Sequence, residues 1–322
     1  MNGFLDKRLR FLSIVLTVTA IWSMFLVSCD KEKEDATADA IEFTDALDRE
    51  VTVKKDPERV AALLGSFADA WTLSGGTLCA AAEDAWEDFE LEPDGAVNIG
   101  GAHSPSLELL LSAAPELVLA SASTASHVEM KDTLEAAEIT VVYFDVDHFE
   151  DYLSMLDICT DITGRKDLYE MNGLHIQAQI EAIKAQYANA AISEQERTVL
   201  LLRASSSTVR AKGSKGTILG EMLSDMGCVN IADSDTSLLE TLSVEVVLLR
   251  EPYHIFVVTM GDDTEAARAS LENMMKENPA WATLEAIKEG RWYMMDKTLF
   301  NLKPNERWAE AYQTLYDTLT NE

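Results

Sequence analysis

The order of apolar and polar positions predicts two kinds of element in alternation. Short apolar runs at 60–64, 117–120 and 140–144 have the length of buried strands, and helical spacing fills the intervals at 67–73 and 127–137. Strands that alternate with helices argue for a parallel sheet with helices on its faces. Gly65 after the first run, and Gly75 and Gly76 after the first helix, are turn signals.

The rhythm breaks at 149–190. Phe149, Tyr152, Leu153, Leu156 and Cys159 keep helical spacing, and beyond Gly164 a second stripe runs through Leu168, Met171, Ile176, Ile180, Ile183 and Tyr187. No strand and no Pro/Ser/Gly-rich stretch interrupts it, so it reads as a helical bridge between lobes and not as a flexible linker. Alternation then resumes: a strand at 198–202, helices at 216–227, 263–276 and 279–288, and a strand at 291–295. A closing helix starts at Pro304, a residue suited to the first turn, with the stripe Trp308, Tyr312, Leu315 and Leu319.

One pattern occurs on both sides of the bridge. Val97-Asn98-Ile99 leads to Ser106-Leu107-Glu108, Pro115 and the run 117–120; Val229-Asn230-Ile231 leads to Ser243-Val244-Glu245, Pro252 and the run 255–258. From serine to proline the copies align without a gap, SLELLLSAAP against SVEVVLLREP. Each copy predicts a loop, a short helix and a strand. The serine is an N-cap, the glutamate sits where the helix macrodipole favours a carboxylate, and the proline forces the exit. A repeat of this kind argues for two lobes built alike.

Composition narrows the function. The chain has 322 residues, 47% of them hydrophobic, which is enough for two domains with large cores. A net charge of -30 disfavours nucleic acid, whose phosphates need clustered Lys and Arg, and disfavours electrostatic binding to anionic membranes. Residues 1–29 form a targeting segment: Lys7, Arg8 and Arg10 precede an uncharged apolar stretch that ends at Leu26-Val27-Ser28-Cys29. Those four residues resemble a bacterial lipobox, which implies cleavage before Cys29 and lipid attachment to it; an uncleaved signal anchor is the alternative. Residues 30–40, charged and Ala-rich, read as a flexible tether. Cys79, Cys159 and Cys228 are widely spaced and form neither a disulfide framework nor a metal motif.

Enzyme signatures are missing: the chain has no G-x-S-x-G, H-E-x-x-H or C-x-x-C, and the glycine spacing of Lys212 to Thr217 is wrong for a phosphate loop. Five scattered histidines do not make a histidine-rich metal binder. Within the acidic background, residues 198–220 contain no Asp or Glu but carry Arg203, Arg210, Lys212 and Lys215 among serines and threonines. They read either as a field for a carboxylate- or catecholate-bearing ligand or as a solvated, charge-balancing loop.

Taken together, residues 41–322 resemble the substrate-binding lipoproteins of ABC importers, in the class that binds iron-siderophores, haem and cobalamin. The stretches that carry the resemblance are 43–63 (FTDALDREVTVKKDPERVAAL), 99–120, 160–169 (TDITGRKDLY) and 299–312 (LFNLKPNERWAEAY). It implies an α/β fold of two Rossmann-like lobes, 41–148 and 191–322, with mainly parallel sheets, the rigid bridge 149–190 and a ligand cleft between them. It also implies no enzyme activity and no intrinsic cofactor. The ligand it implies is a small-molecule metal complex, one that can contain Fe or Co, and the partners it implies are a permease and its ATPase. It further implies a monomer, lipid-anchored on the extracytoplasmic side of the cell membrane.

The resemblance assigns Glu108 and Glu245 to permease arginines, although both also make sense as helix-start acids. It places His103 where haem-binding relatives can carry a metal-ligating methionine; ligation, another ligand contact and a surface role all remain open for it. Trp71, Trp86 and Met260 fall near element ends where ligand crevices form, or in the core. Another metal-containing solute such as an oxyanion, or a surface lipoprotein without a transport ligand, are the alternative functions.

Overall fold

A computed structural model describes residues 39–261 and 263–320. The targeting segment, Cys29 and nearly all of the predicted tether lie outside the described residues.

A hairpin of β1 (Ala40–Thr44) and β2 (Glu50–Lys54) precedes the first lobe. That lobe has five parallel strands: β3 (Val60–Ala62), β4 (Ala80–Ala81), β5 (Val97–Asn98), β6 (Leu117–Ser121) and β7 (Thr140–Phe144). Their order is β5-β4-β3-β6-β7, so the direction of winding reverses between β3 and β6. The second lobe contains β8 (Thr198–Ala204), β9 (Val209–Lys212), β10 (Val229–Asn230), β11 (His254–Thr259) and β12 (Trp292–Met295). Its parallel order is β10-β8-β11-β12, reversing between β8 and β11, and β9 folds back antiparallel onto β8. Every residue of β6 and of β11 is buried, as expected for strands covered on both faces.

The repeated pattern builds equivalent parts of the two lobes. Val97–Asn98 and Val229–Asn230 both become edge strands. Ser106 and Ser243 both cap, their side chains accepting from the amides of Leu109 and Val246, and the helices Leu107–Ser112 and Val244–Arg250 follow. Ala114 and Glu251, at matching positions, both have positive φ, 46° and 43°, and each is followed by its proline. A β-carbon makes this conformation unfavourable, so its recurrence marks one turn design used twice.

The bridge consists of two long helices, Phe149–Thr163 and His175–Asn189, with a π-helical turn, Glu170–Leu174, between them. Gly164, in the left-handed region at φ 68°, ends the first helix. Asn172 in the turn donates from its side chain to the Leu73 carbonyl, and Tyr152 Oη donates to the Asn172 carbonyl, which pins the turn to the first lobe. The second bridge helix buries Ile176, Ile180, Ile183 and Tyr187. The closing helix, Trp308–Thr320, begins after a 3-10 turn at Asn305–Arg307. Trp308 meets Phe149 edge-on at 5.9 Å, and Tyr312 donates to Asp225 of the second lobe.

One apolar cluster therefore runs from Val60 and Trp71 through Leu156 and Ile180 to Phe256 and Leu315. Two further clusters lie under the outer helices of each lobe. Two polar ties reinforce this continuity. Asn305 donates to Ser66 O and Asp69 Oδ2, and Lys297 pairs with Asp88 at 2.9 Å. Relative motion of the lobes must strain or release these contacts.

Candidate functional site

The strand orders dictate where a ligand sits. In open α/β sheets the crevice forms beyond the carboxyl ends of the strands, at the point where winding reverses. In the first lobe that point is the ends of β3 and β6, and in the second the ends of β8 and β11. A cleft of about 530 Å³ lies there, with Leu64, Ser121 and Thr124 on one side and Arg203, Met260 and Gly261 on the other. A groove of equal volume between Val53, Pro57, Leu117 and Thr140 touches only the first lobe, at the amino ends of its strands. It lacks the two-lobed enclosure and the position expected of a binding site.

The walls of the cleft carry opposite charges. Glu83, Asp84, Glu87 and Asp88 line the first lobe, while Arg203, Lys297 and Lys303 approach from the other side. Asp88 is satisfied by Lys297. Burial pushes the Asp84 carboxyl up from its usual range, a backbone hydrogen bond from Gly65 opposes that, and its Oδ1 is buried without a partner among the described residues. Burial lowers the pKa of the Arg203 guanidinium, and its Nε is buried without a partner among the described residues. Burial also lowers the Lys303 ammonium, with Asp147 and Asp145 acting against that shift and Arg203 adding to it. Arg203 and Lys303 are thus two basic groups at the cleft with no carboxylate within 4.0 Å among the described residues.

Of the residues singled out from sequence, His103, Arg203 and Met260 line this cleft. Met260 is 44% exposed, and His103 is exposed on its loop. The others stand elsewhere. Trp71 is 1% exposed on the inner side of its helix and donates to the Thr77 carbonyl; a β-carbon at Gly76 would fall 2.1 Å from the indole, so the ring is locked into the core. Trp86 packs against the first core while its neighbours Asp84 and Glu87 face the cleft. Arg210 and Lys212 lie on β9 and do not line the cleft: pairing with β8 sets Arg210 opposite Arg203 and turns the predicted loop into a hairpin. Glu108 and Glu245 are exposed and lie away from the cleft; Glu245 also accepts from the Ser243 hydroxyl at 2.8 Å.

Two residues at the site escape sequence reading. Lys303 belongs to the stretch before the closing helix, where one lysine in a polar run gives no sign of facing a cavity. His127 is completely buried behind the cleft wall. Its Nδ1 accepts from the Ser121 amide at 3.2 Å, and its Nε2 lies 2.7 Å from the Ala102 carbonyl. An amide can only donate and a carbonyl only accept, so both partners select the same neutral tautomer, protonated on Nε2. Burial is the main cause lowering its pKa to about 4, with His103 adding to the effect.

A family model described as "Periplasmic binding protein" matches residues 60–299. The putative ABC transporter substrate-binding lipoprotein YhfQ of Bacillus subtilis is 22% identical over 96% of this chain and 97% of its own. The Fe(3+)-citrate-binding protein YfmC of the same organism is 23% identical over 92% of both chains. Among solved structures, Staphylococcus aureus SirA complexed with staphyloferrin B superposes with a TM-score of 0.65 at 19% identity, covering 88% of this chain and 99% of its own. With the two-lobed architecture, the bridge and a model match across most of the chain, this protein belongs to the periplasmic binding protein family.

Proposed function

We propose that the cleft captures an anionic ferric complex of the siderophore type outside the cell, and that the chain delivers it to the permease of an ABC importer. Arg203 carries the ligand reading. It is an always-charged guanidinium at the point where winding reverses in the second lobe, with a buried Nε that no group among the described residues satisfies. A carboxylate is the natural partner for such a donor. Lys303 places a second basic group in the same cleft. A relative named for binding Fe(3+)-citrate and a fold neighbour complexed with staphyloferrin B support the same reading.

The rest of the assembly follows from it. Glu108 and Glu245 ride on equivalent helices of the two lobes and suit a permease with two equivalent docking points. Cys29 anchors the protein through lipid, and one copy serves one transporter with its ATPase.

A second reading is favoured by one observation: His103 is exposed on a cleft-lining loop, where its imidazole can reach the iron of haem or the cobalt of cobalamin. Tryptophan-fluorescence titrations with ferric citrate, haemin and cyanocobalamin separate the two. Trp86, beside two cleft carboxylates, is the expected reporter. The siderophore reading expects ferric citrate to bind, and Arg203→Gln to weaken it at least ~10-fold, since a hydrogen bond to a charged group is worth about 1.5–3 kcal/mol. Saturable haemin or cyanocobalamin binding without ferric citrate binding would overturn it.

A further inference from the structure

The loop 100–105 forms part of the cleft wall, yet it has little holding it in place. Gly100 takes φ 90°, and Gly101 follows it. Inside the loop, Ser104 donates to Gly101 O; at its ends, Gly100 donates to the Asn98 side chain, Ser106 to Ile99 O, and the Glu83 amide to Gly100 O. Among the described residues, one side chain from outside bonds the stretch 101–104, and it is His127 through Ala102 O. The same ring takes the Ser121 amide at the end of β6. Ala102 and Ser121 both line the cleft. Tyr143 Oη in turn donates to the His127 carbonyl and fixes its backbone to β7.

We propose that His127 is the positioning residue of the site: its neutral imidazole clamps the His103-bearing loop to the end of β6, so that the first-lobe wall is formed before any ligand arrives. The physical gain is preorganisation. A loop with two adjacent glycines pays conformational entropy if it orders only on binding, and a strut made in the free protein removes that cost. The clamp works only in one tautomer. With Nδ1 bare and Nε2 protonated, both contacts are satisfied hydrogen bonds; in the other tautomer a donor faces the Ser121 N–H and a lone pair faces the Ala102 carbonyl.

Two conservative variants divide the two contacts. Asparagine places an acceptor where Nδ1 stands, so His127→Asn retains the Ser121 bond and loses the Ala102 bond. Glutamine places a donor where Nε2 stands, so His127→Gln retains the Ala102 bond and loses the other. The first readout is hydrogen exchange in the ligand-free protein at the Gly100, Ser104 and Ser106 amides. The second is affinity for ferric citrate and for haemin. The affinity arm rests on the ligand reading given above; the exchange arm does not.

The expected result is at least ~10-fold faster loop exchange in His127→Asn than in His127→Gln, at comparable melting temperatures, with the probe that binds the wild type losing affinity in the same order. A loop as protected in His127→Asn as in the wild type would overturn the proposal. So would equal losses in both variants that track their melting temperatures, because these would reduce His127 to general packing. A loosened loop with unchanged affinity for a bound probe would overturn the role in capture. If neither probe binds the wild type, the ligand reading fails, while the exchange comparison still decides whether the clamp exists.

Discussion

Replacing His254 with phenylalanine should stabilise the fold, and more so in acid. His254 opens β11 and is 2% exposed. Its ring lies 4.8 Å from that of Tyr253 and 5.9 Å from those of Phe256 and Tyr293, and neither ring nitrogen has a partner among the described residues. Burial, with the Arg291 guanidinium adding to it, lowers its pKa to about 4. An unsatisfied buried polar group costs roughly 1–3 kcal/mol, and a near-isosteric swap that removes it risks up to about 1.5 kcal/mol of packing strain, so the gain at neutral pH is modest.

The pH dependence is sharper. A folded-state pKa of about 4 lies below the ordinary histidine value of about 6.5, so the unfolded chain binds the proton more readily and wild-type stability falls as pH drops through that window. Between pH 7.5 and pH 5.0 this one group should cost the wild type about 2 kcal/mol, and His254→Phe is spared that loss. The assay is urea unfolding of the chain beginning at residue 30, wild type and variant, at both pH values. Packing effects and the parallel contribution of His127 cancel when the variant-minus-wild-type difference is compared between the two conditions. A difference that does not widen in acid would show that His254 is hydrogen-bonded and titrates normally in the folded protein, against the reasoning here.

Other predictions concern transport. Cys29→Ser should leave the protein unprocessed or released from membranes; fractionation that finds it processed and membrane-held would exclude Cys29 as the anchor. Glu108→Lys combined with Glu245→Lys should abolish uptake while ligand affinity in solution stays within about 2-fold, because neither residue faces the cleft and like charges at an interface are costly. Unchanged uptake would leave both as helix-start acids. His103→Ala should alter the visible spectrum of bound haemin if imidazole ligates iron, and a spectrum and affinity equal to wild type would remove that role.

The sequence was most legible where local chemistry determines local structure. Serine caps, prolines after helices and uninterrupted apolar runs are read within a few residues, and they locate the repeated unit with its buried strands β6 and β11. The short strands β4, β5 and β10 escaped, because two-residue strands are set by their neighbours and leave no periodic trace. β9 escaped for a related reason: only the folded hairpin sets Arg210 opposite Arg203, and of that basic run Arg203 lines the cleft while Arg210 and Lys212 do not.

The site divides along the same line. Arg203 and Met260 were found because each follows an apolar run, and a strand's carboxyl end is visible in sequence. Lys303 reaches the cleft, and His127 the space behind its wall, by tertiary packing alone. Lys303 arrives when the chain before the closing helix crosses back to the first lobe, a path held by Asn305 and by Lys297 pairing with Asp88 across more than 200 residues of chain. His127 occupies a short helix whose pattern marks it as one polar residue among several, and its importance comes from two main-chain groups that only the folded lobe brings within 3.2 Å of its ring. Residues that hold a site in shape bond to backbone atoms, and backbone atoms carry no sequence signature. The positioning residues of a cleft of this kind are therefore harder to infer from one sequence than the groups that touch its ligand.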